Sequence, residues 1–267
     1  MTDTVTSAVP AIPLVKDRTQ LHRLILSLVG LAVFLGIWES LAQSGLLSRT
    51  LAPPPSMVPA AAFREWASGH WWKAVQGSFG HYAAGLLLGS GFGIALGISA
   101  GLSRTFEALQ LGIVRVLRPI PGIAWIPFAV IWFGITEAAA TFIIAIGVFW
   151  INYFAAFAAV RGVDPDLLEV ADAFGHRSRL AKLFKIVLPA AAPGIFNGIR
   201  IALGQGWMAV VAAELFGIPG IGARMMEASS LLATSVVVLY MLTIAGLYSL
   251  TDILFGRLTA LVLQWQR

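Results

Sequence analysis

Residues 79–102 read FGHYAAGLLLGSGFGIALGISAGL, without a single lysine, arginine, aspartate or glutamate. Glycine recurs at 85, 89, 93, 97 and 101, one every four residues. Positions four apart share a face of an α-helix. These glycines therefore form a flat stripe against which a second helix can pack closely. The run also exceeds the about 20 apolar residues that span a bilayer. It reads as a membrane helix, with Gly85, Gly89, Gly93 and Gly97 as its packing positions.

Composition extends that reading to the whole chain. Of the 267 residues, 58% are hydrophobic and 12% charged, against about 25% charged in soluble domains. So few charges cannot cover a water-facing surface, so the principal partner is the lipid bilayer. The 27 glycines and 9 tryptophans suit close helix contacts and headgroup-level anchors. No cysteine is present, so neither a disulfide nor a thiolate metal site is available. The net charge of +5 is spread between apolar runs. It reads as membrane topology, not nucleic-acid binding.

Six apolar segments follow along the chain, at about 24–42, 79–102, 119–134, 138–160, 190–215 and 235–255. The expected fold is all-α and polytopic, with about six transmembrane helices. The long polar leader and Glu39 mark the first run as a span, not a cleaved signal. The connection 43–77 holds Pro53-Pro54-Pro55, which stops a helix. Trp66, Trp71 and Trp72 then suit an interfacial helix. Pro119, Pro121 and Pro127 interrupt the third span. Such breaks survive at membrane depth only beside protein or a water-filled cavity, so the segment is either a pathway wall or a kinked packing helix. The resulting division is a tail at 1–23, the first span with its connection at 24–77, a core at 78–255 with a polar segment at 161–188, and a tail at 256–267.

Six spans put both ends on one side. That side then collects Lys16, Arg18, Arg23, Arg104, Arg115, Arg118, Arg161, Arg177, Arg179, Lys182, Lys185, Arg257 and Arg267. The other side keeps Arg49, Arg64, Lys73 and Arg224, and Arg200 falls within a span. Basic residues are retained in the cytoplasm, so both termini are expected there.

Enzymatic signatures are missing. No lysine follows a glycine, so there is no Walker A loop, and no histidine precedes glutamate, so there is no His-Glu-x-x-His zinc site. Gly97-Ile98-Ser99-Ala100-Gly101 matches Gly-x-Ser-x-Gly but lies in a membrane helix, not the strand–turn–helix that motif needs. His22, His70, His81 and His176 are dispersed, which gives no basis for a metal site or a membrane-embedded enzyme. If transport is active, its energy comes from another chain or from an ion gradient. An ion-coupled secondary transporter would usually show more spans and an inverted repeat.

Residues 161–189 carry the most local signals. Asp164-Pro165 is an N-cap followed by proline at the first helical position. Leu167, Leu168, Ala171 and Phe174 follow at helical spacing, and Gly175 is placed to end the helix in a left-handed conformation. A second short helix is expected from about Ser178, with Arg179, Lys182 and Lys185 on its polar side. Spacing alone allows a knob that docks into a partner, or a loop lying on the membrane surface.

Glu169-Val170-Ala171-Asp172-Ala173-Phe174-Gly175, ten further residues, and Ile186-Val187-Leu188-Pro189 resemble the EAA signature of ABC importer permeases. Val170 stands where alanine is usual, and the spacer is one residue longer than usual. Ala52-Pro53-Pro54-Pro55-Ser56, Leu117-Arg118-Pro119-Ile120-Pro121, Ala124-Trp125-Ile126-Pro127, Ile131-Trp132-Phe133-Gly134, Val163-Asp164-Pro165-Asp166-Leu167-Leu168-Glu169 and Ala212-Ala213-Glu214-Leu215 resemble the nitrate/sulfonate/taurine branch. The resemblance implies a type I, MetI-like permease fold in the bacterial inner membrane. It implies a second permease subunit, as a homodimer or with a sister permease, two cytoplasmic ATPase subunits that use ATP and Mg, and an extracytoplasmic solute-binding protein. This chain itself would bind no cofactor. Asp164, Leu167, Leu168, Glu169, Ala171, Asp172, Phe174 and Gly175 would form the ATPase-coupling turn, with Leu167, Leu168 and Phe174 as its apolar anchor. Leu188 and Pro189 would restart the next span. The solute would be a small anion imported by alternating access.

Ionisable residues inside spans cost about 2.5–3.5 kcal/mol at the helix centre. Glu39, Arg200, Glu214 and Asp252 lie near span ends, Arg200 deepest. Arg200 would either attract an anionic solute or pair with a carboxylate. Asn152, Gln205, Trp207 and Glu214 join it as pathway candidates.

Overall fold

The computed structural model describes residues 16–45, 48, 50–175 and 178–266. Most of the expected N-terminal tail, together with Arg49, His176, Arg177 and Arg267, lies outside them. Every regular element among the described residues is helical. The chain forms two compact units, Met1–Val58 and Pro59–Arg267.

In the first unit, α1 (Lys16–Gln43) contains the apolar span Ile25–Gln43. The helix starts earlier than the apolar run that announced it. The Glu39 carboxylate accepts hydrogen bonds from the Ser56 hydroxyl at 2.7 Å, the Ser56 N–H at 3.1 Å and the Gln43 amide. Ser56 belongs to the 3-10 turn Pro55–Met57, which follows the proline run. An acidic residue near a span end is thus satisfied locally.

The second unit holds α2 (Val58–Ala67), α3 (His70–Leu102), α4 (Arg104–Leu117), a 3-10 turn Gly122–Trp125, α5 (Ile126–Phe133), α6 (Glu137–Arg161), α7 (Pro165–Ala173), α8 (Arg179–Lys182), α9 (Leu188–Glu214), α10 (Ile221–Ser230) and α11 (Thr234–Val262). The most extensive packing is α3 on α6, and the glycine stripe makes it. Gly85 faces Thr141 and Ile144, Gly89 faces Ala145 and Val148, Gly93 faces Phe149 and Asn152, Gly97 faces Tyr153 and Ala156, and Gly101 faces Val160. A β-carbon at Gly85 would lie 2.5 Å from Ile144 Cβ, and one at Gly101 2.8 Å from Val160 Cβ. At Gly89 and Gly97 it would strike the Ala145 and Tyr153 carbonyl oxygens.

The two numberings rise together, so α3 and α6 are parallel. The chain between them must therefore return across the membrane. Glu107 pairs with Arg161, Arg118 stacks over the Phe154 ring at 4.3 Å, Gly122 abuts Gly147, and Trp125 and Phe133 reach Phe142. The segment climbs α6 from its last turn to its second. α4 and the Gly122–Phe133 stretch meet at 85°, a break at the expected prolines. The third span is thus a bent crossing that already begins in α4, not a helix confined to 119–134.

α9 runs antiparallel to α6, Gly194 beside Ala159 and Gly198 beside Ala155. α11 runs antiparallel to α9, Phe196 beside Phe255 and Trp207 beside Thr251. One end of the unit therefore gathers Leu102, Arg161 and the α7–α8 segment; it is the basic end. The opposite end gathers His70, Glu137, Glu214 and Thr234.

Three expectations are corrected. The second span starts at His70 and the sixth reaches Val262, because each helix continues beyond its most apolar core. The stretch between the apolar segments expected at 190–215 and 235–255 is not a mere connection: α10 occupies ten of its residues. The short helix after Gly175 is not separate. α8 passes through a π turn, Leu183–Val187, into α9, making one helical path Arg179–Glu214. A π turn closes i→i+5 bonds, so it accommodates one additional residue without breaking the helix ahead of Pro189.

Candidate functional site

The segment between α6 and α9 projects from the basic end. Asp164 caps α7, its Oδ1 accepting the Asp166 N–H at 3.0 Å, with Pro165 at the first helical position. Gly175 ends the turn at φ +82°, where a β-carbon would be strained. The Lys182 ammonium pairs with the Asp172 carboxylate at 2.7 Å and pins α8 to α7. Ser178 Oγ accepts the Ala181 N–H at 3.1 Å and caps α8.

Burial divides α7 into two faces. Ala171 is 3% exposed, and Leu168 packs on Val160, Val187 and Ala191. Leu168 thus packs against its own bundle, whereas the expected outward anchor placed it with Leu167 and Phe174. The outward apolar residues are Leu167 at 45%, Val170 at 52% and Phe174 at 79% exposure. Spaced i, i+3 and i+7, they share one helix face. Val170 takes the place that sequence reasoning assigned to Leu168; its spacing from Leu167 and Phe174 was the available signal. Glu169 is exposed beside them. Contiguous exposed apolar residues of this kind mark interaction surfaces. Leu188 and Pro189 are partly buried at the start of α9.

The helical path from Arg179 to Glu214 covers 36 residues, about 54 Å at 1.5 Å per residue. Its far end is locked. The fully buried Glu214 carboxylate accepts from Ser78 Oγ at 2.8 Å and the Gly222 N–H at 2.8 Å, and contacts His81 Nδ1 at 2.9 Å. Ser78 Oγ also accepts the Ile221 N–H at 2.8 Å. The carboxylate thus sits at the positive N-terminus of α10. A side chain at Gly220 would collide with it. Nearby, Glu65 on α2 grips Arg224 on α10 at 2.7 and 3.0 Å and accepts the Tyr240 hydroxyl of α11 at 2.8 Å. The Arg224 guanidinium holds the Glu65 carboxyl below its usual range, and Glu65 pushes Arg224 up. None of Ser78, His81, Glu65 or Tyr240 was singled out by sequence, since their partners lie far along the chain.

The five pathway candidates separate. Asn152 is buried and donates to Ser90 Oγ at 3.0 Å and to the Val148 carbonyl at 2.9 Å. Trp207 is buried and stacks on Tyr82 at 4.4 Å. Like Glu214, both are buried inside the unit. Arg200 forms a two-pronged pair with Asp252 at 2.8 and 2.9 Å. It is exposed, as is Gln205 on the same helix.

Known proteins are similar to this chain in sequence and in fold. The sequence model of the family described as binding-protein-dependent transport system inner membrane component matches residues 89–267. The chain belongs to that family. It is 35% identical over 237 residues to a protein named as an aliphatic sulfonates transport permease of Bacillus subtilis (strain 168), covering 88% of this chain and 85% of that one. It is 35% identical over 218 residues to the taurine transport system permease protein of Escherichia coli (strain K12), covering 79% of each. It is 32% identical over 250 residues to a bicarbonate transport system permease protein of Synechococcus elongatus, covering 89% and 88%. Its fold is similar to a chain of the inward-facing MetNI methionine ABC transporter, with a TM-score of 0.55 at 22% identity, covering 72% of this chain and 93% of that chain. The permease is thus the inner-membrane, multi-pass component of a binding-protein-dependent ABC importer of the nitrate/sulfonate/taurine family. It is not an enzyme: ATP hydrolysis lies in a separate ATPase subunit, and a solute-binding protein is the other partner.

Proposed function

We propose that α7 is the coupling helix of this permease and that its outward face, Leu167, Val170 and Phe174, seats in a groove of the ATPase. The exposure of Phe174 on the same face as Leu167 and Val170 carries the reading, because a contiguous apolar patch at the basic end marks an interaction site. Glu169 supplies a charged contact at the rim. Two ATPase subunits, each using ATP and Mg, would pull on two such knobs; the permease itself holds no cofactor. The helical path to Glu214 carries the pull from one end of the unit to the other, which supports alternating access.

The basic end faces the cytoplasm in this reading. Arg104, Arg161, Arg179, Lys182 and Lys185 lie there, against Arg64, Lys73 and Arg224 at the other. With α1 as a span and the bent crossing, both termini are cytoplasmic. A second copy completes the pathway. Asn197, Ile201, Gln205 and Met208 form one exposed stripe of α9, and its amides would be unsatisfied against lipid. A homodimer that encloses water along this stripe satisfies them. The solute is a small anion: relatives are named for taurine, aliphatic sulfonates, bicarbonate and nitrate.

Co-purification tests the coupling. The ATPase should accompany the wild-type permease from mild detergent and be lost with Phe174→Glu, while the variant still elutes as a folded protein. Retention of the ATPase by that variant overturns the reading. Competition of uptake by taurine, nitrate and bicarbonate tests the solute class, which fails if no anion competes.

A further inference from the structure

We infer that the basic end of the permease carries a binding site for one anionic phospholipid, set behind the coupling helix. A cavity of about 630 Å³ opens there, within the about 300–1,000 Å³ range of small-ligand sites. Its floor is apolar, formed by Leu102, Leu168, Leu183 and Val187. Its rim carries Arg104, Arg179 and Lys182. Lys182 is paired with Asp172. Arg104 and Arg179 are exposed and have no ion-pair partner among the described residues. Two cations are thus left over an apolar floor.

The level fits a headgroup. Leu102 is the last residue of a 33-residue membrane helix, and Val187 immediately precedes α9. With the orientation proposed above, the cavity lies where two spans would leave the bilayer, so the arginines would meet lipid phosphates and the leucines glycerol and upper acyl chain. Basic pockets between transmembrane helices hold anionic lipid headgroups for this reason. Leu167, Val170 and Phe174, the outward face of α7, do not line this cavity. Leu168 does, so a bound lipid would pack against the coupling helix from behind.

The test is native mass spectrometry of the full-length, delipidated permease titrated with phosphatidylglycerol or with phosphatidylcholine of the same chains. The wild type should take up one phosphatidylglycerol in clear preference. An Arg104→Gln/Arg179→Gln variant should bind it at least about tenfold more weakly. Arg64→Gln/Lys73→Gln, with the same charge change elsewhere, should bind like wild type. Arg104→Lys/Arg179→Lys should restore the preference, which separates lost charge from misfolding. Equal binding of the two lipids, unchanged binding by the glutamine variant, or displacement of the lipid by soluble glycerol phosphate would overturn the proposal.

Discussion

Leu168 and Phe174 sit six positions apart on one short segment and face opposite ways. Leu168 packs into the cluster of Val160, Val187 and Ala191, while Phe174 is 79% exposed. One residue ties α7 to its own bundle, and the other lies on the face proposed to meet the ATPase.

The two positions should therefore fail differently. Phe174→Ala should weaken ATPase binding by about 2 kcal/mol, roughly thirtyfold, and leave the thermal stability of the isolated permease unchanged. Leu168→Ala should lower that stability, by about 2 kcal/mol. Binding titration and thermal unfolding of each variant separate the effects.

Gly89 and Gly91 offer a matched pair. A methyl at Gly89 meets the Ala145 carbonyl and Val148, whereas nothing lies within 4 Å of one at Gly91. Gly89→Ala should destabilise the α3–α6 packing by about 1–3 kcal/mol. Gly91→Ala should be neutral or stabilise by up to about 1 kcal/mol, through helix propensity. Unfolding midpoints in detergent measure both.

Removing the Glu214 carboxylate strands several buried donors at once. Glu214→Ala should cost about 3 kcal/mol or more, because Ser78, His81 and the Gly222 N–H lose their common acceptor. Proteolysis at 217–233 in the folded variant should rise before global unfolding, which reports release of α10.

Acid should loosen the neighbouring tie. The Glu65 carboxyl is held below its usual 4.5 by the Arg224 hydrogen bonds. Its contribution to stability is complete above about pH 4.5 and is lost as the pH falls through the lower, folded value. The gap in unfolding midpoint between wild type and Glu65→Gln should shrink as pH drops from about 5 to about 3. A gap independent of pH contradicts the assignment.

Sequence made the spans legible where one physical signal repeated. The glycines from 85 to 101 announced both a helix and its packing face, and Asp164-Pro165 with Gly175 announced α7 and its end. The remainder depended on contacts between distant segments. Nothing local links Glu214 to Ser78 and His81, or Glu65 to Arg224 and Tyr240. Gly217, Gly220 and Gly222 lower helix propensity and concealed α10, although Gly220 and Gly222 leave room for the Glu214 side chain. Leu167 and Leu168 are chemically alike, so only packing could tell the outward residue from the inward one. The break at Pro119 and Pro121 was visible, but the crossing it makes followed from the parallel α3 and α6.

The permease has no cysteine, so single cysteines can be placed freely along α7 and crosslinked to its cognate ATPase in native membranes. Crosslinks are predicted from positions 167, 170 and 174 and not from 168 or 171, with yields that change on adding ATP and Mg. No crosslink at any outward position, or equal yields from 168 and 174, would contradict coupling through this face.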